Sequence, residues 1–400
     1  MKRRHVLKLG CAAFAAAGIS ARLYAAPASG PRFLLVFLRG GYDSTNLLVP
    51  YSSSFYYESR PNIAIPRPDA ASSTGALALD GDWALAPAVR DTIGALYRDR
   101  QAAFIPFAGT DDLSRSHFET QDSIELGQPT NGRRNYRSGF LGRLSETLTG
   151  LPAGAAPIAF TDALPLAFEG ASTVPNLSLK NVGKPAFDER QARILDDMYA
   201  GHPLETAVRE GLDLRQQVAQ TFAEEMSAAN RNAITPKGFE LEAERMGRLM
   251  RDQYRLGFID VGGWDTHVGE GAAQGTLANN LAGLARGLQV FSQGLGAEWN
   301  HTVVVVLSEF GRTFRENGNR GTDHGHGTVY WVLGGGIAGG RIAGEQVSVA
   351  RGNLLQDRDF PVLNDYRAVL GGLFRTLWGL SPDQCARVFP QVAPLDLKLA

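Results

Sequence analysis

Short apolar runs alternate with amphipathic stretches along most of the chain. Phe33 to Leu38, Ala103 to Phe107, Leu256 to Val261, Thr302 to Leu307 and Thr328 to Leu333 are short, mainly apolar runs rich in β-branched or aromatic side chains. Runs without polar alternation are expected of strands covered on both faces. Helical patterns lie between most of them. Leu277, Leu281, Leu284, Leu288 and Phe291 recur at steps of four, three, four and three, which draws one apolar stripe along a helix. Strands alternating with amphipathic helices predict an α/β fold, a mostly parallel central sheet with helices on both faces. Tyr51 to Trp83, rich in Ser, Pro, Ala and Gly, reads as loop. Residues 155–238 are less regular, with helical stretches over Glu189 to Ala200 and Glu205 to Ala229, and predict an inserted helical or irregular cap within a domain spanning 27–400.

The first 26 residues follow a different pattern. Lys2, Arg3, Arg4 and Lys8 lead into the apolar run Leu9 to Ile19, and Ala25, Ala26 and Pro27 follow. This is the form of a cleaved signal peptide, and its apolar run is too short for an ordinary membrane-spanning helix, so no permanent anchor is expected. The Arg3-Arg4 pair has the form of a twin-arginine signal, which addresses a folded protein to the twin-arginine export machinery and places it in the periplasm or outside the cell. Cleavage after Ala26 removes five Lys or Arg and no acidic residue, moving the formal charge from -1 to -6 (-1 minus 5). A mildly acidic chain without a basic tract is a poor partner for nucleic acid. Cys385 alone survives cleavage, so no intrachain disulfide is expected.

The polar residues that follow the predicted strands carry the candidate chemistry, because open α/β sheets bind ligands beyond the carboxyl ends of their strands. Arg39-Gly40-Gly41-Tyr42-Asp43-Ser44 follows the first, and Thr110-Asp111-Asp112-Leu113-Ser114-Arg115-Ser116-His117 the second. Gly262-Gly263-Trp264-Asp265-Thr266-His267 and Ser308-Glu309-Phe310-Gly311-Arg312 follow the next two, and Gly321-Thr322-Asp323-His324-Gly325-His326-Gly327 lies between the last two. Four of the seven histidines fall in these clusters. Carboxylate and neutral imidazole suit zinc, and carboxylate-rich sites also take manganese, magnesium or calcium. Each residue taken singly has a plainer explanation. Asp43 fits a turn, Ser114 and Ser116 fit helix N-caps, Asp265 with His267 fits a surface pair, Glu309 fits an ion pair with Arg312, and His117 fits a satisfied core histidine. Convergence of five clusters on one sheet edge is what favours a site.

In chain order these residues resemble the alkaline phosphatase superfamily, which includes sulfatases, phosphodiesterases and cofactor-independent phosphoglycerate mutases. Asp43 matches its first aspartate, Ser116 or else Ser114 its nucleophile, Asp265 with His267 its Asp and His, Glu309 its strand-end acid, and His324 or His326 its last histidine. More closely, the leader, the Gly-Gly-Tyr-Asp turn, Ser116-His117-Phe118, Gly-Gly-Trp-Asp-Thr-His, Ser-Glu-Phe-Gly-Arg and Asp-His-Gly-His-Gly are together similar to a sulfatase-like family of exported bacterial proteins described as a domain of unknown function. That likeness covers nearly the whole mature chain. Two departures stand out: a single residue separates Asp265 from His267 where the phosphatases have three, and Phe310 replaces a histidine.

The resemblance implies a hydrolase of phosphate or sulfate esters using one or two divalent ions, zinc foremost, and a hydroxyl nucleophile. Its metal ligands would come from Asp43, Asp265, His267, Glu309, Asp323, His324 and His326. Ser116, His117 and Arg312 would be catalytic, with Ser44 or Thr45 as competing hydroxyls. Arg39, Arg115 or Arg312 would hold the anionic substrate. The alternative is a binding or assembly protein that keeps the scaffold and the metal without turnover. A redox role lacks a phosphate-cradling glycine fingerprint, since no clear helix follows Gly334-Gly335-Gly336.

Overall fold

A computed structural model describes residues 30–151, 154–171, 173–178, 189–206, 208–210 and 239–400. The leader Met1 to Ala26 and most of Glu205 to Ala229 lie outside the described residues. The strands, in chain order, are β1 (Arg32–Leu38), β2 (Leu48–Val49), β3 (Leu77–Ala78), β4 (Ala84–Leu85), β5 (Ala102–Gly109), β6 (Pro157–Ala159), β7 (Leu256–Val261), β8 (Thr302–Ser308), β9 (Thr328–Leu333), β10 (Arg341–Ile342) and β11 (Asn364–Asp365). The five apolar runs are β1, β5, β7, β8 and β9.

The main sheet has the order β10-β5-β9-β8-β1-β7-β6, with β11 also paired to β5, and β2, β4 and β3 make a small second sheet. β1 lies parallel between β7 and β8, with Leu35 opposite both Phe258 and Val305. β9 runs against both its neighbours, β8 and β5, so the sheet is mixed but mostly parallel. That reversal matters for the site, because the N-terminal end of β9 then lies at the same edge as the C-terminal end of β8. The loop between them starts and finishes on the edge where β1, β5 and β7 also end.

Side chains of β1 alternate between two apolar cores. Leu34, Val36 and Leu38 face a layer that includes Met246 and Met250 of helix Phe239–Asp252 and the whole stripe Leu277, Leu281, Leu284, Leu288 and Phe291 of helix Thr276–Leu295. Phe33, Leu35 and Phe37 face the helices Phe140–Thr149, Tyr366–Trp378 and Pro382–Val388, where Phe33 meets Phe374 edge to face at 4.9 Å. Cys385 is buried on this side and unpaired.

Two predictions need revision. Residues 155–238 are not wholly a cap, because Pro157–Ala159 extends the main sheet beside β7. Tyr51 to Trp83 is not all loop either: Ser54–Ser59 is helical, and β3 sits against β4. Among the described residues, no helix is long and apolar enough to cross a membrane.

Candidate metal centre

The three loops bearing His117, Asp265 with His267, and His324 meet at this edge, and close backbone approach is what lets them meet. Gly41 has φ +61°, and a Cβ there would lie 2.4 Å from the Phe310 ring. The glycine turn therefore does not serve to present Asp43 to the site; it admits Phe310, which lies against His117 and His324 with ring centroids 4.9 and 5.0 Å away. Gly321 similarly lets its loop run against the backbone of His267, where a Cβ would stand 2.4 Å from the carbonyl oxygen.

Each of the three histidines is held by its Nδ1. His117 Nδ1 lies 2.8 Å from Oε1 of Glu309, His267 Nδ1 3.2 Å from Oδ1 of Asp323, and His324 Nδ1 3.0 Å from the carbonyl oxygen of Arg115. A carbonyl oxygen accepts only, so Nδ1 of His324 carries the proton. Glu309 and Asp323 are also acceptors. Burial would raise the Glu309 carboxyl, but hydrogen bonds from His117, Gln121 and Ser308 hold it below the usual range. Slight burial of Asp323 is likewise outweighed by Asn317 and His267. In a neutral ring, a proton on Nδ1 leaves Nε2 as a lone pair.

Those Nε2 atoms gather around Asp265. Oδ1 of Asp265 is 2.9 Å from His267 Nε2 and 3.5 Å from His324 Nε2, and Oδ2 is 3.7 Å from His117 Nε2. The Nε2 atoms of His267 and His324 are 3.1 Å apart. One ligand atom from each of His117, Asp265 and His324 lies within 4.8 Å of the others. His117 Nε2 is buried and has no hydrogen-bond partner. Lone pairs crowded in this way repel unless a cation stands among them. Nitrogen ligands of a tetrahedral zinc, each about 2 Å from the ion, stand about 3.3 Å from one another. The observed spacings bracket that value.

Burial, above all, keeps His324 below the ordinary histidine range, which favours the neutral ring that metal coordination requires. Partial burial would raise Asp265, but the hydrogen bond and charge of Arg312 keep it ionised.

Residues 31–389 match the family model described as "Protein of unknown function (DUF1501)". The chain belongs to that family. No curated protein is similar to it. Among solved structures it is similar to one described as "Ps i-CgsB in complex with k-i-k-neocarrahexaose", at 11% identity and a TM-score of 0.38, covering 89% of this chain and 74% of that one. A second, described as "Ps i-CgsB", matches at 11% identity and a TM-score of 0.36 over the same shares of each chain.

Several residues expected to bind metal sit elsewhere. Asp43 is fully buried against Arg60, whose Nη2 donates to Oδ1 at 3.0 Å, and it also caps the short helix Ser44–Asn46 through Thr45 N at 3.2 Å. Glu309 already accepts from Gly40 N, His117, Gln121 and Ser308 at 2.8 to 2.9 Å, so it orients His117 instead of joining the ligands. Asp323 does the same for His267. His326 is buried beside Arg115, Asp111 and Asp112, and burial pushes its ring down to about 4. His117, expected to be catalytic, lies in one cluster with Asp265 and His324.

The expected anion-binding guanidiniums are occupied. Arg39 bonds Asp260, Gln121 and Glu125 at 2.7 to 2.8 Å. Arg115 bonds Asp359 and Gln356. Arg312 is buried, donating to Asp265 at 2.5 Å, to Thr322 O at 3.1 Å and to the carbonyl oxygens of Gly40 and Gly41. Its role is to tie three loops together. Ser116 is the N-cap residue of helix His117–Leu126, but its side chain makes no cap hydrogen bond. Ser114, by contrast, is engaged by Ser116 N and Thr120. Ser44 and Thr45 are buried in their short helix. Two large apolar side chains next in sequence to site histidines are exposed, Phe118 at 84% and Val268 at 70%.

Proposed function

We propose that this chain is a metal-dependent hydrolase of phosphate or sulfate esters, with one divalent cation, zinc foremost, held by His117, Asp265, His267 and His324. The observation that carries it is the set of three imidazoles, each fixed through Nδ1 and each turning its Nε2 toward one carboxylate. Metal-ligating histidines characteristically have their second nitrogen fixed in this way. A bound cation would polarise an ester oxygen and make a hydroxyl or water a stronger nucleophile at neutral pH. The protein groups do the rest. Glu309 and Asp323 hold their rings in one tautomer, Arg312 balances the Asp265 charge, and the uncapped Ser116 hydroxyl is the side chain assigned as nucleophile. The half-exposed Asp265 leaves a way in for substrate, and Phe118 and Val268 offer contact to an apolar part of the ester. We assign Met1 to Ala26 as a twin-arginine leader, by which the chain would be exported folded and already loaded.

The second reading, a metal-binding protein without turnover, is favoured by one observation: the forks of Arg39, Arg115 and Arg312 are all engaged within the protein. Metal analysis of protein purified without chelator, followed by a panel of aryl phosphate and sulfate esters, separates the readings. Metal bound with hydrolysis lost in Ser116→Ala supports the hydrolase. Metal bound with every ester untouched supports binding alone, and a chain that takes up no divalent metal overturns both.

A further inference from the structure

Glu270 lies outside the cation's ligands, yet it is fully buried directly behind them. Its Oε2 accepts from Thr266 Oγ1 at 2.8 Å and from Thr322 Oγ1 at 2.9 Å. Thr266 stands between Asp265 and His267, and Thr322 immediately precedes Asp323 and His324. One carboxyl group thus grips both ligand-bearing loops from beneath. The backbone repeats the grip, since Thr322 N donates to Thr266 O at 3.2 Å and Glu270 N to Arg320 O at 2.9 Å.

Glu270 is itself anchored. It hydrogen-bonds Asp43, and Asn46 Nδ2 lies 3.4 Å from its Oε1. Asp43 is held by Arg60, which also donates to Phe314 O at 2.7 Å and Thr313 O at 3.1 Å, just beyond Arg312. Two carboxyl groups facing one guanidinium in a dry interior do not both ionise, and burial with the Asp43 charge drives Glu270 well above the ordinary carboxyl range. A neutral Glu270 can donate to Asp43 and still accept from both threonines.

We infer that Glu270 is a positioning residue for the metal centre: through the Thr266 and Thr322 hydroxyls it sets the distance between the Asp265–His267 loop and the Asp323–His324 loop. The inference rests on the metal reading above. It also gives Asp43 a part, as the fixed end of the brace that holds Glu270.

The test measures the zinc dissociation constant by competition with a chromophoric chelator, together with the thermal midpoint of the metal-free chain. Thr266→Val and Thr322→Val keep side-chain shape and remove one donor each. Each is expected to weaken zinc binding about tenfold, within the range seen for outer-shell partners, with a smaller effect on the metal-free midpoint. Thr266→Ser and Thr322→Ser, which keep the hydroxyl, are expected to restore wild-type affinity. If a valine variant fails to fold, Glu270→Gln against Glu270→Ala replaces it, with the amide expected to keep affinity within about twofold and the alanine to lose about tenfold or more. Valine variants that bind zinc as tightly as wild type, or whose midpoint falls with affinity unchanged, overturn the inference and leave the metal reading standing. A wild-type chain that binds no zinc overturns the metal reading and the inference with it.

Discussion

His267 and His324 bring their Nε2 atoms to 3.1 Å although the ring of each donates through Nδ1 to an oxygen on its other side. In neutral rings so protonated, the two Nε2 lone pairs do not settle at that distance without positive charge between or beside them. Arg312, 3.4 Å from His267 Nε2 and bonded to Asp265, supplies part of it. A divalent cation would supply the remainder.

The metal should therefore stabilise the fold. Zinc at about a hundred times its dissociation constant is expected to add about 2.7 kcal/mol to unfolding, and His324→Asn to abolish that gain. Thermal melts with zinc and with chelator check this. Equal midpoints in the two would count against a site.

Asp265→Asn should remove the charge about which the imidazoles gather, and leave Arg312 with neutral acceptors only, the amide oxygen among them. Because Asp265 is half-exposed and the amide oxygen can still accept from Arg312, the stability cost is expected to be only about 1 kcal/mol. The zinc affinity should fall by far more. A chelator titration set beside a urea titration separates the two effects.

Glu270 gives the chain a pH signature. Its folded pKa lies well above the ordinary 4.5, so between that value and the folded pKa the folded chain holds a proton that the unfolded chain has released. The folded state then binds more protons, and this group's contribution to stability falls as pH rises through the window that opens near 4.5. Glu270→Gln, a neutral near-isostere, should flatten that slope. Denaturation midpoints of the metal-free proteins at several pH values give the answer, and parallel curves for wild type and variant would refute it.

Gly41→Ala should cost about 2 kcal/mol or more, since it adds a left-handed penalty to a clash with the Phe310 ring. Displacing Phe310 also disturbs both rings it supports, so zinc affinity should fall together with the thermal midpoint. An alanine variant with wild-type stability would contradict the close approach.

Much of this was visible in the sequence, for definite physical reasons. Strands buried on both faces leave apolar runs without polar alternation, and β1, β5, β7, β8 and β9 all show them. The stripe from Leu277 to Phe291 is buried along its length, as its spacing requires. β6, β10 and β11 were not visible, because two or three residues carry no period. Asp265, His267 and His324 could be read as members of one cluster because glycine and aromatic neighbours mark their loops. Asp43 was misread since its partner, Arg60, lies in an irregular stretch with no pattern to announce it. Glu309 was taken as a ligand because a strand-end carboxylate and one that orients a histidine look the same in a sequence. Glu270 had no motif around it; its significance comes from two threonines that only the fold brings together.

The reversed strand β9 has a further consequence. The chain leaves the sheet at the end of β8, carries Glu309, Arg312, Asp323 and His324 in a single excursion, and re-enters a few ångströms away at the start of β9. That excursion behaves as a cassette, whose length and composition can change without altering the registry of any strand. Diversification within this fold is therefore expected to concentrate there, with the frame beneath it left intact.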